Sequence, residues 1–104
     1  MSDSTDLFFV VRLLPPRASF LADMSDEERA LMQAHGVYWR ERMAEGKVIV
    51  FGPVADPKGP WGLGVVRVSS AAELDAFKDG DPVIKAGRGF RYESLPMLRA
   101  VVKP

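Results

Sequence analysis

The chain contains no cysteine, and this absence excludes several kinds of chemistry. Without a thiol there are no disulfide bonds, no thiolate metal ligands and no cysteine nucleophile. The chain also has only one histidine, His35, so no second imidazole can join it in a metal site that needs several ligands. We therefore expect neither a disulfide framework nor a bound metal in this protein.

An excess of charge of either sign is also missing. The 14 basic and 14 acidic residues cancel to a formal net charge of zero. Because phosphate binding needs a surplus of positive charge, this balance argues against nucleic acid as a partner. A protein without net charge has little electrostatic repulsion between its copies, which suits self-association.

Long apolar runs are absent as well. No run approaches the roughly 20 residues that are needed to span a membrane, so we expect no membrane partner. The first residues, MSDSTD, are polar and acidic and have neither the basic flank nor the apolar centre of a signal peptide. We therefore expect a cytoplasmic protein. A chain of 104 residues is long enough for one modest core, which predicts a single domain over residues 1–104.

The first half of the chain predicts a strand, a loop and a long helix. Leu7–Leu14 (LFFVVRLL) is rich in aromatic and β-branched residues and is stopped by two prolines, which is typical of a strand. Residues 15–24 are predicted to form a connecting loop. Ser25 then opens the sequence S-D-E-E, a capping box that predicts the start of a helix. That helix is expected to end at Gly46, since glycine tolerates a left-handed cap.

The second half predicts the remaining elements. A strand over Lys47–Phe51 is closed by Gly52-Pro53, and a second strand covers Trp61–Val68. A second capping box at Ser70 predicts a helix from Ala71 to about Lys78, and Pro82 starts a helical turn. The last strand runs from Phe90 to about Val102. Pro96 makes part of the last strand an edge or a bulge. The order β-α-β-β-α-β is the ferredoxin-like pattern, so the predicted fold class is α+β with a four-stranded antiparallel sheet.

The strands do not alternate as a half-exposed sheet should. Two helices cover only one face of a four-stranded sheet, so the residues of the other face should be polar. Instead, residues 8–11 of the first strand and 48–51 of the second are consecutively apolar. A large apolar surface of this kind indicates an interface, and two-fold packing of sheet against sheet is the simplest arrangement. We therefore expect a homodimer through the sheet faces, and further association of dimers stays open.

The single histidine falls on the apolar face of the long predicted helix. Residues with three- and four-residue spacing share that face, namely Leu31, Met32, His35, Trp39 and Met43. An imidazole can take or give a proton near neutral pH. Two interpretations follow: a hydrogen-bonded core histidine, or a proton-handling group at the mouth of a pocket.

Two aspartates are candidate partners for His35. Asp56 lies in the ADPKGP loop after the second strand, and Asp81 lies in the GDP turn after the second helix. A carboxylate can orient an imidazole and stabilise its charged form. Each aspartate also precedes a proline, and Asp-Pro is a common turn opener. Spacing leaves both open, because the contact would be tertiary.

Other candidates would line a pocket. The two tryptophans are either core or interface aromatics or the walls of a pocket for an apolar or planar ligand. The glycines of GPWGLG do not match a dinucleotide fingerprint, because their spacing differs and no helix follows. The candidate substrate-binding residues are Trp39, Gly52, Pro53, Asp56 and Trp61.

From Phe8 to about Val101 the chain resembles the YCII-related (YciI-like) family. The motifs that carry the resemblance are FFVVRLL, HGVYWRERMAEGKVIVFGP, SAAEL and DPVIKAG. The resemblance implies a ferredoxin-like, dimeric α+β barrel with a pocket between sheet and helices. It also implies a catalytic pair, in which His35 matches the family histidine and Asp81 is the best match for the aspartate. Val83 stands where many relatives have an aromatic residue, which indicates a differently shaped pocket.

The resemblance also suggests an activity. One branch similar to this family is a dehydrochlorinase that acts on a chlorinated hydroxyquinol, and no redox cofactor is implied. The leading hypothesis is therefore a cofactor-independent lyase or isomerase for a small, phenolic or enolisable substrate. In it His35 acts as general base or acid and Asp81 fixes its tautomer. The alternative is a non-catalytic, dimeric small-molecule-binding or accessory protein.

Overall fold

In a computed structural model, which describes residues 6–104, four strands form one antiparallel sheet. The elements are β1 (Leu7–Leu14), α1 (Phe20–Asp23), α2 (Asp26–Ala44), β2 (Val48–Val54), β3 (Trp61–Val68), α3 (Ala71–Asp79), α4 (Pro82–Lys85) and β4 (Arg91–Pro96). The strand order is β2-β3-β1-β4. This arrangement confirms the predicted ferredoxin-like α+β class. Most of the polar amino-terminal segment, residues 1–5, lies outside the described residues.

Helix α2 begins and ends where its sequence predicts. The Ser25 hydroxyl accepts from the Glu28 backbone N–H at 3.1 Å, and the Glu28 carboxylate accepts from the Ser25 N–H at 2.9 Å. At the other end, Gly46 has φ 83°, the left-handed conformation that glycine adopts easily.

Within the described residues, no helix is both long and apolar enough to cross a membrane.

The second strand extends past its predicted end. Gly52-Pro53 does not close β2, because Pro53 pairs with Gly62 and Val54 pairs with Trp61. A proline is tolerated there since β2 lies at the edge of the sheet and needs no hydrogen-bond donor on its open side.

Two further boundaries also differ from the prediction. The predicted loop over 15–24 contains the short helix α1, which forms because Phe20 packs edge-on against Phe90 with ring centroids 5.2 Å apart. The last strand ends at Pro96 and not near Val102. The Met97 backbone N–H makes one more bond to β1, at 2.8 Å, and the following residues belong to no strand.

The core lies between the sheet and the helices. Its buried apolar side chains are Val11, Trp39, Val48, Val66, Val68, Leu74 and Phe77 in one cluster, and Leu13, Phe20, Val83 and Phe90 in a second. A register shift in β2 between Val48 and Val50 lets both Val48 and Phe51 pack against the first cluster. The consecutive apolar residues of this strand therefore divide unevenly between the two faces of the sheet.

The opposite face of the sheet keeps exposed apolar side chains. Val10 pairs with Val65 on one side and with Leu95 on the other, and Val50 also pairs with Val65, so these residues share a face. Val50 is 48% exposed and Leu95 is 62% exposed. The sheet thus has apolar residues on both faces, as its sequence predicts, while the dimer itself stays a prediction.

Candidate active site

A cavity of about 280 Å³ lies between the helix-covered face of the sheet and the helices α1 and α2. Residues from six elements and their connections surround it, chiefly Val11, Leu13, Phe20, Met32, His35, Trp39, Phe51, Gly64 and Tyr92. Almost all of these side chains are apolar. The cavity therefore has the form of a small hydrophobic pocket with few polar groups, which is typical of sites for small organic ligands.

A glycine in β3 allows Trp39 to form one wall of this cavity. A Cβ atom on Gly64 would lie 2.3 Å from the Cη2 atom of Trp39 and 3.0 Å from a methyl group of Val11. The indole can approach the sheet this closely only because residue 64 has no side chain. This close approach also brings the indole N–H to the polar groups beside the cavity.

Asp81 performs two tasks at once. One carboxylate oxygen, Oδ1, accepts from the Val83 backbone N–H at 3.1 Å and caps helix α4, as an Asp-Pro turn predicts. The other oxygen, Oδ2, lies 2.7 Å from Nδ1 of His35. The Asp81 side chain is fully buried, and that of His35 is 13% exposed. Asp81 therefore both opens the Asp-Pro turn and pairs with His35.

Two more side chains donate to the same oxygen of Asp81. The Tyr92 hydroxyl lies 2.6 Å from Oδ2, and the Trp39 indole N–H lies 2.9 Å from it. The indole N–H also reaches the Tyr92 hydroxyl at 3.0 Å. Sequence reasoning did not single out Tyr92. Alternation along the predicted last strand could have indicated it, because Tyr92 shares a face with the buried Phe90 two residues earlier.

The surroundings of Asp81 keep it ionised. Burial alone would raise the pKa of Asp81. The net shift is nevertheless downward, because His35 opposes burial through its hydrogen bond and its charge, and Tyr92 and the Val83 N–H add further hydrogen bonds. Burial and the adjacent Asp81 charge raise the pKa of Tyr92, so its hydroxyl keeps the proton that it donates. An ionised carboxylate only accepts hydrogen bonds, and Nδ1 of His35 must therefore carry a proton.

This proton assignment defines what the other ring nitrogen can do. With the proton on Nδ1, a neutral imidazole has its lone pair on Nε2. No side chain or backbone group of residues 6–104 hydrogen-bonds to Nε2, and His35 lines the cavity. Nε2 is thus available to take a proton from a molecule in the cavity.

Asp56 does not contact His35. Its Oδ2 accepts from the Trp61 indole N–H at 3.0 Å, and its Oδ1 accepts from the Lys58 backbone N–H at 2.9 Å. These bonds hold the connection between β2 and β3 and lower the pKa of Asp56. The structure therefore pairs His35 with Asp81 and assigns Asp56 to a loop.

Four of the five predicted substrate-binding residues do line the cavity: Trp39, Gly52, Pro53 and Trp61, with Asp56 the exception. Their roles in binding stay predictions. Trp39 has a second task that its apolar spacing does not indicate, since its indole N–H donates to the buried carboxylate. Within residues 6–104, no cluster of three or more histidine, aspartate or glutamate side chains is placed to hold a metal ion.

Comparison with known proteins gives one family and one fold. The family model for the YCII-related domain matches residues 8–98. A search of curated proteins found no match. Among solved structures, the chain is similar to the 5-chloro-2-hydroxyhydroquinone dehydrochlorinase of Burkholderia phenoliruptrix, determined in complex with 2,5-dihydroxybenzoquinone. The two are 23% identical with a TM-score of 0.55, and the match covers 84% of this chain and 90% of that chain, a likeness of fold.

Proposed function

The chain belongs to the YCII-related domain family, and we propose that it is a small enzyme of the lyase or isomerase kind that moves a proton through His35. The observation that carries the proposal is the 2.7 Å contact between Nδ1 of His35 and the buried Asp81 in the wall of a cavity. The fold shared with a dehydrochlorinase supports the reaction class. Proton transfer by a positioned side chain typically accelerates such a step by ~10²–10⁴-fold.

In the proposed step, Nε2 of His35 takes a proton from an O–H or an acidic C–H group of the substrate. The electron pair left behind forms a new double bond, and in an elimination the leaving group departs with its own bonding pair. For 5-chloro-2-hydroxyhydroquinone, a hydroxyl proton first moves to the chlorine-bearing carbon and gives a keto tautomer. His35 then takes the proton of the hydroxyl para to the new carbonyl, the O–H bonding pair forms a second carbonyl, the ring double bond shifts to the chlorine-bearing carbon, and chloride leaves with its bonding pair. The products are a hydroxyquinone and hydrogen chloride, so the step needs no external oxidant. The negative charge of Asp81 stabilises the resulting imidazolium and keeps the ring oriented. No cofactor takes part in this scheme.

The test measures turnover of small phenolic and enolisable compounds, with chloride release from 5-chloro-2-hydroxyhydroquinone and deuterium exchange from heavy water as the readouts. We expect His35→Gln and Asp81→Asn each to lower the rate by ~10²–10⁴-fold. Asp75→Asn is the matched control, because this carboxylate is 70% exposed on α3 and does not line the cavity. Full turnover in a folded His35→Gln protein would contradict the proposal.

A non-catalytic binding protein is the second candidate. The observation that favours it is the nearly complete apolar lining of the cavity, which suits binding as well as reaction. In that case the wild-type protein binds small phenols without converting them, and His35→Gln keeps much of the affinity. Turnover that depends on His35 distinguishes the two candidates.

We also propose that two copies of the chain associate through the exposed face of the sheet. The apolar side chains on that face, including Val50 and Leu95, support this arrangement. A two-fold axis would place the same surface of each copy in contact. Whether such dimers associate further is a separate question that a measurement of mass answers.

A further inference from the structure

Every polar side-chain group that lines the cavity, apart from one ring nitrogen, already has a partner. The hydroxyl of Tyr92 and the indole N–H of Trp39 both donate to Asp81. The indole N–H of Trp61 donates to the loop carboxylate at 3.0 Å. The other lining residues are aliphatic, aromatic, proline, glycine or methionine, and a methionine sulfur is only a weak acceptor. Within the described part of the chain, Nε2 of His35 is therefore the one side-chain polar atom of the wall left for a ligand.

Among residues 6–104, no aspartate, glutamate, lysine or arginine side chain lines the cavity. Two arginines lie against residues of the wall, but both are already paired. Arg12 lies 4.4 Å from the centre of the Trp61 ring and forms an ion pair with Glu93 at 3.1 Å. Arg17 lies 5.5 Å from the centre of the Phe20 ring and is held by two carboxylates, each at 2.7 Å. Neither arginine lines the cavity, and each is already held by a carboxylate, although the buried Nε of Arg12 has no hydrogen-bond partner.

The buried charge behind the wall disfavours anions further. Asp81 is fully buried, carries a negative charge and lies directly behind His35. With His35 neutral, a carboxylate or phosphate in the cavity would leave water without gaining a side-chain donor, and it would also face the charge of Asp81. Burying an ion without a partner is far more costly than burying a neutral hydroxyl. A neutral hydroxyl group needs one acceptor, and Nε2 supplies it.

We infer that the cavity selects a neutral, compact ring substrate that presents an acidic proton to Nε2 of His35, and that it rejects carboxylates and phosphates. This inference rests on the proposed function and specifies its substrate class. The cavity volume of about 280 Å³ is near the low end of small-molecule sites, which suits a molecule built on a single ring. With one side-chain anchor in the wall, the acidic group is placed at the base that removes its proton.

The experiment compares three probes of matched size: para-chlorophenol, para-chloroanisole and para-chlorobenzoate. Dissociation constants come from tryptophan fluorescence, and contact with the base comes from the NMR signals of the single histidine ring. We expect para-chlorophenol to bind and to shift the His35 signals. Para-chlorobenzoate should bind at least ~100-fold more weakly, since its charge has no partner. Para-chloroanisole should bind about tenfold more weakly, because its capped oxygen cannot donate to Nε2.

A gain-of-function variant keeps the inference testable without disturbing the core. Leu21 lines the cavity and is 61% exposed, so Leu21→Lys adds a cation at the mouth of the cavity while the fold stays intact. We expect this variant to tighten the binding of para-chlorobenzoate relative to that of para-chlorophenol, so that the ratio of the two dissociation constants falls by about tenfold or more. Val37→Lys is the matched control, because Val37 is 54% exposed on α2 and does not line the cavity.

The outcomes separate this inference from the proposed function. Wild-type binding of para-chlorobenzoate that equals that of para-chlorophenol overturns the inference, even if His35-dependent turnover is found. A para-chlorophenol complex that leaves the His35 signals unmoved overturns it too. If neutral phenols bind at His35 and none is converted, the selectivity stands and the proposed enzyme activity falls.

Discussion

A single carboxylate oxygen, Oδ2 of Asp81, accepts hydrogen bonds from three side chains of two different elements. Burial raises the pKa of Asp81, and the hydrogen bonds from His35 and Tyr92 lower it, so these donors oppose protonation of the carboxylate. The arrangement is therefore self-consistent only with Asp81 ionised and with the proton of His35 on Nδ1. Tyr92 acts on His35 through this oxygen, which makes it a positioning residue for the proposed base.

Tyr92→Phe removes one of these donors without removing the ring. We expect a loss of about 1–2 kcal/mol in the free energy of unfolding, measured by urea titration at neutral pH. The second tyrosine provides the control, because the Tyr38 hydroxyl donates to the Phe77 carbonyl at 2.8 Å and does not touch Asp81. Tyr38→Phe should cost a similar amount of stability, with the proposed turnover reduced only in Tyr92→Phe.

The same pair of variants differs in its response to acid. The folded-state pKa of Asp81 is lowered, so its stabilising contribution is present above the pKa of an unfolded aspartate and is lost as pH falls through the folded value. Removing the Tyr92 hydroxyl lessens that lowering of the pKa. The two variants are expected to have similar free energies of unfolding at neutral pH. As the pH falls, we expect Tyr92→Phe to unfold at a higher pH than Tyr38→Phe. Parallel acid curves for the two variants would contradict this assignment.

The residues of the candidate site were only partly predictable. Spacing alone could not choose between Asp56 and Asp81, because a contact between residues 46 positions apart depends on how α2 meets α4. The family resemblance pointed to Asp81, and the geometry places it there. Tyr92 and the polar role of Trp39 were missed, since neither follows from a local pattern.

Among the elements, those with local signals were predicted best. The capping box at Ser25 and the glycine at 46 mark the ends of α2, because each satisfies backbone groups within a few residues. Strand ends depend on distant partners, so β2 continues through its Gly-Pro pair where β3 offers residues to pair with. At Ser70 the hydroxyl caps α3, but the Glu73 carboxylate accepts from Ser69 and completes no box.

Packing of α2 on β3 depends on a missing side chain. Because a Cβ atom at residue 64 would lie 2.3 Å from the Trp39 ring, Gly64→Ala must displace the indole or the strand. We expect a loss of about 1–3 kcal/mol of stability, the usual cost of overpacking, together with a change in Trp39 fluorescence. The matched control is Gly52→Ala in β2, where a Cβ atom meets nothing within 4 Å. Equal stability of the two variants would show that the contact between Trp39 and β3 is not tight.

At the scale of the whole molecule, periodicity predicted the fold and one unusual feature of the sheet. Two helical patterns and four strand patterns in ferredoxin-like order leave one sheet face without helices. Consecutive apolar residues in the strands predict that this face carries apolar side chains. Val50 and Leu95 are exposed on it. The cavity could not be predicted in the same way, because its shape depends on where the indole of Trp39 settles against β3.

If two copies associate through this face, a charge placed on it will separate them. Leu95→Glu is the sharpest change, because Leu95 is 62% exposed in the single chain and its replacement leaves the core intact. In a face-to-face dimer the carboxylate would be buried without a partner, which costs several kcal/mol and raises the dissociation constant by a factor of about 100 or more. Sedimentation equilibrium should therefore show a dimer for the wild type and a monomer for Leu95→Glu at micromolar concentration.

The control for this experiment places the same charge on the other side of the molecule. Val37→Glu on α2 changes a side chain of comparable exposure, 54%, and should leave the dimer mass unchanged. A wild-type monomer, or a Leu95→Glu dimer of unchanged stability, would show that the exposed sheet face is not the interface. If both variants keep the fold and only Leu95→Glu dissociates, the apolar face is the contact, because charge and exposure are matched and the position alone differs.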